Sequence, residues 1–379
     1  MERYSKLRIG ILTSSRADYG IYLPLLKEMN KEDKIKFQII AFGTHLSPFH
    51  GFTLKDIIKD GFTIDHKIDS LLLSDSEEGI STSMGLTILK FAHFWANNKN
   101  NFDIVIAVGD RFEMFSAVSA SIPYNIIIAH IHGGEETLGA IDNKFRHSIT
   151  HMSKIHFTSN EIYSNRITKM LDNAEHVVTV GALSIDNLKQ VKLLDEESFK
   201  STYNIDITKP SILFTMHPET VALGMNEKYA QILYDTLIQI SDKYQIIITM
   251  PNADTEGNIY RQKFLNLKKI KNDKIKIIEN FGTLGYFSCM KYCNFLLGNS
   301  SSGIIEAGSL KKWVINLGDR QKGRISGENV VHCQIDKDNI LEKISFIESE
   351  QEKVTFKNPY DKGGASNKII NYLMSYAGF

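Results

Sequence analysis

The sequence has no excess of either charge: Lys and Arg together number 44, and Asp and Glu together number 44. Such a chain carries no global positive field for nucleic acid or an anionic membrane, although a local basic pocket for a phosphate fits the balance. No apolar run reaches the roughly 18 residues of a membrane span. The first residues, Met1 to Lys6, are polar and lack the apolar stretch and cleavage site of a secretion signal. Cysteine is scarce, with only Cys289, Cys293 and Cys333. An odd, small number suits a reducing compartment and excludes a disulfide framework. Cys289 and Cys293, four apart in a helix-like stretch, read as a shared core face. A cytoplasmic location is expected. No Gly-x-Gly-x-x-Gly run is present, which argues against a nicotinamide cofactor. His147 and His151 have helical metal spacing but lack the glutamate of a HExxH motif. Gly318–Arg324 imitates a P-loop, yet Arg324 stands at the lysine position and Ile325 where a hydroxyl residue belongs. Neither NAD nor a metal is expected as cofactor.

What is present is an ordinary globular composition, 42% hydrophobic and 23% charged, over 379 residues. That length suggests two domains. Short β-branched runs alternate with longer amphipathic stretches: strands are expected at Arg8–Thr13, Lys36–Phe42, Ile104–Val108, Asn125–Ala129, Ile155–Thr158 and His176–Val180, with a helix over Ala17–Asn30. Continuous apolar strands separated by helices indicate a parallel sheet covered on both faces. The pattern restarts at Ser211–Met216, Gln245–Met250, Lys274–Glu279, Asn294–Leu297 and Trp313–Leu317, after a polar stretch, Lys189–Pro210, that reads as a linker. The expected fold class is α/β, two Rossmann-like doubly wound domains over 1–188 and 189–362 with a ligand cleft at their strand ends. A C-terminal helix over 363–379 is expected to cross back to the first domain.

Several strand ends carry residues suited to chemistry. After Leu297 comes Gly298-Asn299-Ser300-Ser301-Ser302-Gly303 and then Glu306, a glycine and three serines opening a helix. Free N–H groups at a helix N-terminus attract an anion, and serine hydroxyls add donors; plain helix capping by serine is the simpler alternative. Glu306 could hold a ribose hydroxyl pair. The first strand leads into Ser14-Ser15-Arg16-Ala17-Asp18, where Arg16 can clamp a phosphate or pair with Asp18. Asp110 and Arg111 follow Val108, and His130 to Glu135 follow another strand, with Gly133 and Gly134 allowing close backbone approach. Asp142 and Arg146, four apart, can be a helix cap and an ion pair. His217, at the end of the first strand of the second half, can donate to a phosphate or move a proton.

Taken in order, these motifs resemble the hydrolysing UDP-N-acetylglucosamine 2-epimerases, the branch that supplies sialic-acid-type nonulosonate synthesis. The matching runs are Ser15-Arg16-Ala17-Asp18-Tyr19-Gly20, Gly109-Asp110-Arg111, His132-Gly133-Gly134-Glu135, Arg146-His147-Ser148-Ile149, His217-Pro218-Glu219-Thr220, Asn252-Ala253-Asp254-Thr255, Gly298–Gly303 and Gly318-Asp319-Arg320-Gln321, covering roughly residues 7 to 330. The resemblance implies a glycosyltransferase-B-like architecture with UDP in the central cleft. It implies catalytic acids at Asp110, Glu135 and Asp142, the last standing where some members have Glu, with His217 beside the diphosphate. It implies Arg16, His217, Ser300, Ser301 and Ser302 on the phosphates, Glu306 on the ribose and Phe281 on the uracil. Asp18, Arg111, Arg146, Asn252, Gly303 and Arg320 join the substrate-binding set. A homodimer or homotetramer is the implied assembly.

The implied reaction removes the C2 proton as UDP leaves C1, giving a 2-acetamidoglycal that water then converts to the free 2-epimer. A sister activity on UDP-2,4-diacetamido-2,4,6-trideoxyglucose, for legionaminic acid, shares every motif, and the apolar segment Thr137–Asn143 bears on that choice. A retaining UDP-sugar glycosyltransferase would share the fold but need an acceptor. A non-catalytic UDP-sugar sensor would keep the serine loop and Arg16 but has no use for three acids.

Overall fold

The computed structural model describes residues 6–74, 76–173, 175–219, 223–251, 256–271, 273–350 and 356–379. Among them two parallel sheets form. The first is built from β1 (Leu7–Thr13), β2 (Ile35–Phe42), β3 (His66–Ile68), β4 (Ile104–Val108), β5 (Ile128–Ile131), β6 (Ile155–Thr158) and β7 (Val177–Thr179). Its order is β3-β2-β1-β4-β5-β6-β7, and every neighbouring pair is parallel. The second contains β8 (Ser211–Thr215), β9 (Gln245–Thr249), β10 (Ile275–Ile278), β11 (Phe295–Gly298), β12 (Trp313–Leu317) and β13 (Val330–Cys333), in the order β10-β9-β8-β11-β12-β13, again all parallel. The two doubly wound α/β sheets expected from the sequence are therefore present.

Parallel strands must be covered on both faces, and these are. In the first unit Ile9, Ile11 and Ile106 pack on one side with Tyr22 and Leu26, while Leu12, Ile40 and Val105 pack on the other with Phe91 and Trp95. In the second, Phe214 and Leu297 join Leu233 and Phe264 on one face, and Leu213 and Leu296 join Phe199 and Phe287 on the other. Burying each such side chain contributes roughly 1.5–3 kcal/mol against exposure, which explains why these runs are apolar without alternation.

The chain divides into two compact units. One comprises the residues through Glu135, Asp142–Asn187 and Lys362–Phe379; the other comprises Glu136–Ile141 and Leu188–Asp361. The helix Ala365–Ala377 belongs to the first unit, where Ile369, Ile370 and Leu373 enter its core and the Ser366 N–H donates to Asp186 Oδ2 at 2.7 Å.

Three details differ from the sequence reading. The stretch Lys189–Pro210 is not a bare linker, since Glu196–Tyr203 is helical, capped by Asp195 accepting from the Ser198 N–H at 2.8 Å. The strand expected from Asn125 begins at Ile128, because Asn125 sits left-handed at φ 54° and closes a 3-10 turn over Ile122–Tyr124. Strands β3 and β13 were not anticipated: one is three residues long and the other is an edge strand only partly buried. Among the described residues no helix is long and apolar enough to cross a membrane.

Candidate active site

Each sheet reverses its direction of growth once, between β1 and β4 in the first and between β8 and β11 in the second. At such a switch the flanking strand-to-helix loops part and leave room for a ligand. Arg16, Asp110, His217 and Ser300–Gly303 stand on or just after these loops, and Glu135, Asp142, Arg146 and Arg320 follow the neighbouring strands β5 and β12.

The loop after β1 is tied down from within. Ser15 caps the helix Arg16–Met29, its hydroxyl accepting from the Asp18 N–H at 3.3 Å. The buried Asp18 carboxylate in turn accepts the Ser14 N–H at 2.9 Å and the Ser14 hydroxyl at 2.6 Å. Asp18 thus orders the loop that presents Arg16. The loop after β2 closes over the Ser14 carbonyl: Thr44 Oγ1 donates to it at 3.0 Å, and a Cβ on Gly43 (φ +58°) would lie 2.9 Å from it. His45 is clamped between Thr13 Oγ1 at 2.9 Å and Thr53 Oγ1 at 2.7 Å. Burial, aided by the positive fields of Arg16 and Arg111 and opposed by a Ser15 hydrogen bond, lowers its pKa to about 4. Its imidazole is therefore neutral at physiological pH.

The loop after β4 turns at Gly109 (φ +79°), whose carbonyl receives the His130 Nε2–H at 2.8 Å. Asp110 comes next and is ion-paired with Arg146, whose side chain is 2% exposed while that of Asp110 is 25% exposed. The same guanidinium donates to the Glu135 carbonyl at 3.0 Å. Arg146 therefore lies under two of the expected acids and holds both. Asp142 opens the helix Asp142–Met152 that carries Arg146, placing a carboxylate in a first turn, where the helix dipole favours it. Glu135 is buried, and its Oε1 accepts the Ser159 hydroxyl at 2.6 Å and lies 2.8 Å from His132 Nδ1. Gly134 (φ +74°) packs so tightly that a Cβ would meet the Tyr163 carbonyl at 2.6 Å. Arg111 folds back onto buried Glu113 through both Nε at 3.2 Å and Nη2 at 2.9 Å. Burial raises the Glu113 pKa, and the Arg111 charge opposes the rise.

In the second unit the loop after β11 is held just as closely. Gly298 has φ +138°, and a Cβ there would fall 1.9 Å from the Thr215 carbonyl, so no other residue fits. The Asn299 side chain accepts the His217 N–H at 2.8 Å and donates to the His217 carbonyl at 2.9 Å. This joins the loops after β8 and β11. The Asn299 carbonyl receives Gln321 Nε2 at 2.9 Å and Arg320 Nη1 at 3.5 Å. Ser300 caps the short helix Ser301–Ile305 with its hydroxyl 3.3 Å from the Ser302 N–H, and Gly303 fits against Val314 where a Cβ would be 2.9 Å away. Glu306 ends that helix, buried. Glu219 accepts the Asp319 N–H at 2.6 Å, linking the β8 loop to Gly318–Arg320, and burial raises its pKa. Behind the serine loop lies a cavity of about 10 Å³ lined in part by Thr215, Tyr286 and Ser300, too small for any part of a nucleotide. The Phe281 ring is in the core, packed against Phe199 at 5.7 Å and edge-on to Tyr203 at 4.8 Å between centroids. Asn252 lies outside the described residues.

The structure thus sets Arg16 and Arg111 near His45 with Asp18 ordering the same loop, joins Asp110 and Glu135 through Arg146 on the helix that Asp142 opens, and groups His217, Ser300–Gly303, Glu306 and Arg320 at the second switch. Chemically, the first unit offers carboxylates on a rigid cationic post, able to exchange protons with carbon-bound or hydroxyl groups. The second offers hydroxyls, backbone N–H groups and an arginine suited to a phosphate. Of the residues that position them, His132, Glu219 and Asn299 stand in the motif runs quoted above without a role of their own, whereas His45, Glu113 and Ser159 were given no role from sequence.

A family model described as UDP-N-acetylglucosamine 2-epimerase matches residues 27–374. The chain is 36% identical to a GDP/UDP-N,N'-diacetylbacillosamine 2-epimerase (hydrolyzing) of Campylobacter jejuni, covering 97% of this chain and 94% of that one. It is 33% identical to the polysialic acid biosynthesis protein P7 of Escherichia coli, over 96% and 92% of the two chains. It is 30% identical to a UDP-N,N'-diacetylbacillosamine 2-epimerase (hydrolyzing) of Legionella pneumophila, over 97% and 95%. Among solved structures, a UDP-GlcNAc 2-epimerase from Neisseria meningitidis, bound to UDP-GlcNAc, superposes with a TM-score of 0.82 at 18% identity, over 97% of this chain and all of that one.

Proposed function

The chain belongs to the UDP-N-acetylglucosamine 2-epimerase family, and from that premise we propose that it converts UDP-N-acetylglucosamine and water to N-acetylmannosamine and UDP. It is an enzyme of the hydrolysing UDP-sugar 2-epimerase class. The observation that carries the reading is the buried Arg146, which pairs with Asp110 and holds the Glu135 backbone, so that two acids are fixed on one post.

In the proposed reaction a carboxylate of the first unit takes the C2 proton. The electron pair left behind forms the C1–C2 double bond as the C1–O bond to UDP breaks. Concerted loss of UDP is what makes so weakly acidic a proton removable. Carboxylate base catalysis of this kind contributes on the order of 10²–10⁴-fold. His217 and the serine-capped turn Ser300–Ser302 take the departing diphosphate, with Arg16 and Arg320 supplying positive charge. Glu306 serves the ribose, and the uracil lies beside the Phe281 segment. Water then adds at C1 while a protonated acid delivers hydrogen to the opposite face of C2. No step as written needs NAD or a metal. The enzyme works in the cytoplasm as a homodimer or homotetramer, an assembly that light scattering of the purified protein reads directly.

A second reading keeps the chemistry and changes the sugar. Two of the relatives above are named for N,N'-diacetylbacillosamine, which favours UDP-2,4-diacetamido-2,4,6-trideoxyglucose. The amide variants D110N and E135Q test the shared mechanism: turnover should fall by orders of magnitude while calorimetric UDP affinity holds. Near-normal turnover in both removes these residues from the catalytic set.

A further inference from the structure

His132 is the residue of the first unit's site whose geometry most needs explaining. It is a non-glycine residue with a left-handed backbone, φ +65°. An imidazole-bearing residue adopts that conformation at a cost of order 1–3 kcal/mol, which persists only where the surroundings impose it. The side chain is 9% exposed, and its Nδ1 lies 2.8 Å from Glu135 Oε1. Glu135 is itself 1% exposed, and the Ser159 hydroxyl, wholly buried, donates to the same oxygen at 2.6 Å.

We propose that His132 is a positioning residue for Glu135: its Nδ1–H and the Ser159 hydroxyl together hold the carboxylate ionised and oriented, which makes Glu135 the base that takes the C2 proton. This deepens, and rests on, the epimerase reading above. An ionised carboxylate only accepts hydrogen bonds, so the proton of that contact belongs to His132 Nδ1. Two donors on one oxygen favour the charged form of a buried carboxyl, against the desolvation that opposes it. They also fix the carboxylate about its χ angles, and a base displaced by about 1 Å loses on the order of 10²-fold. The left-handed backbone at His132 accompanies a ring turned back onto the residue three further along the chain, past Gly133 and Gly134. Asp110, paired with Arg146 on a side chain one quarter exposed, is left for protonation of the opposite face.

The test uses three variants in the full-length enzyme, assayed beside the wild type for UDP release and for UDP affinity. H132G suits a φ of +65° better than histidine does, so any loss it causes comes from the missing donor and not from backbone strain. H132N also tolerates left-handed backbone and sets an amide N–H near the imidazole Nδ1. S159A removes the second donor without touching the turn. The expected result is a fall in kcat of about 100-fold for H132G with UDP affinity unchanged, recovery of at least tenfold in H132N over H132G, and a loss in S159A of the same sense. H132G turning over at the wild-type rate overturns the proposal. So does H132N no faster than H132G, because a ring nitrogen other than the donor is then what matters. A wild-type enzyme that releases no UDP from any UDP-acetamido sugar instead sinks the epimerase reading, an outcome the wild-type control reports separately.

Discussion

The Asp110–Arg146 pair makes an asymmetric prediction. The two partners differ in their access to water: the Arg146 side chain is 2% exposed and that of Asp110 is 25% exposed. Breaking a buried ion pair from one side costs about 3–5 kcal/mol when the charge left behind stays buried. D110A strands the guanidinium, which still donates to the Glu135 carbonyl and to Asn143 Oδ1 at 3.4 Å, so the low end, about 3 kcal/mol, applies. R146M fills the arginine's volume and strands a carboxylate that water reaches, while the Glu135 carbonyl loses a hydrogen bond donated by a charged group. The expected cost is about 1.5–2 kcal/mol, the low end for such a bond. In the double variant no charge is stranded, so its loss should fall short of the sum by about 1 kcal/mol or more. Domains of 150–250 residues lose about 2–4 °C of melting temperature per kcal/mol. D110A should therefore melt about 6–12 °C below wild type, and R146M should fall between the two. Calorimetric unfolding without ligand measures this. R146M melting below D110A, or strictly additive losses in the double variant, would refute the argument that exposure decides the cost.

Gly298→Ala should cripple nucleotide binding, because its Cβ would meet the Thr215 carbonyl at 1.9 Å on a backbone at φ +138°. A strain of about 1–3 kcal/mol lowers UDP affinity about 5- to 150-fold by calorimetry, and an unchanged Kd contradicts the account of the loop. Acid should weaken the first unit. Burial lowers the pKa of His45 and His156 to about 4 and that of His130 to about 3. These folded values lie below the unfolded value of about 6.5, so the stability tied to the neutral rings is complete above pH 6.5 and is lost as pH falls toward 4. Melting temperatures should decline steadily from pH 7 to 4.5 and less steeply in H45N; a flat profile contradicts the burial of three neutral imidazoles.

The parts of the fold legible in the sequence are those where one physical requirement acts along the chain. Strands such as Ile104–Val108 and Ser211–Thr215 are apolar throughout because helices cover both their faces, and they read correctly. The three-residue strand at His66 and the half-exposed edge at Val330 carry too little of that signal. The site divides the same way. Strand-end positions announced Asp110, Glu135, His217 and the serine loop. Their supports could not be read, because the contacts span the chain: Asn299 meets the His217 backbone 82 positions away, Arg146 meets Asp110 at 36 and Ser159 meets Glu135 at 24. Asp142 and Arg146 show the limit well. Their four-residue spacing suggested only a local cap and ion pair, and it carried no sign that the fold also pairs Arg146 with Asp110 of a different loop.

The most direct test of the central claim is proton NMR of the purified enzyme in D₂O, with UDP-N-acetylglucosamine and UDP-2,4-diacetamido-2,4,6-trideoxyglucose supplied separately and no acceptor present. The account predicts UDP together with a free 2-epimeric sugar carrying deuterium at C2, from the first substrate under the main reading and from the second under its alternative. Release of neither UDP nor free sugar from both, or a product that keeps its C2 proton, would contradict the elimination mechanism.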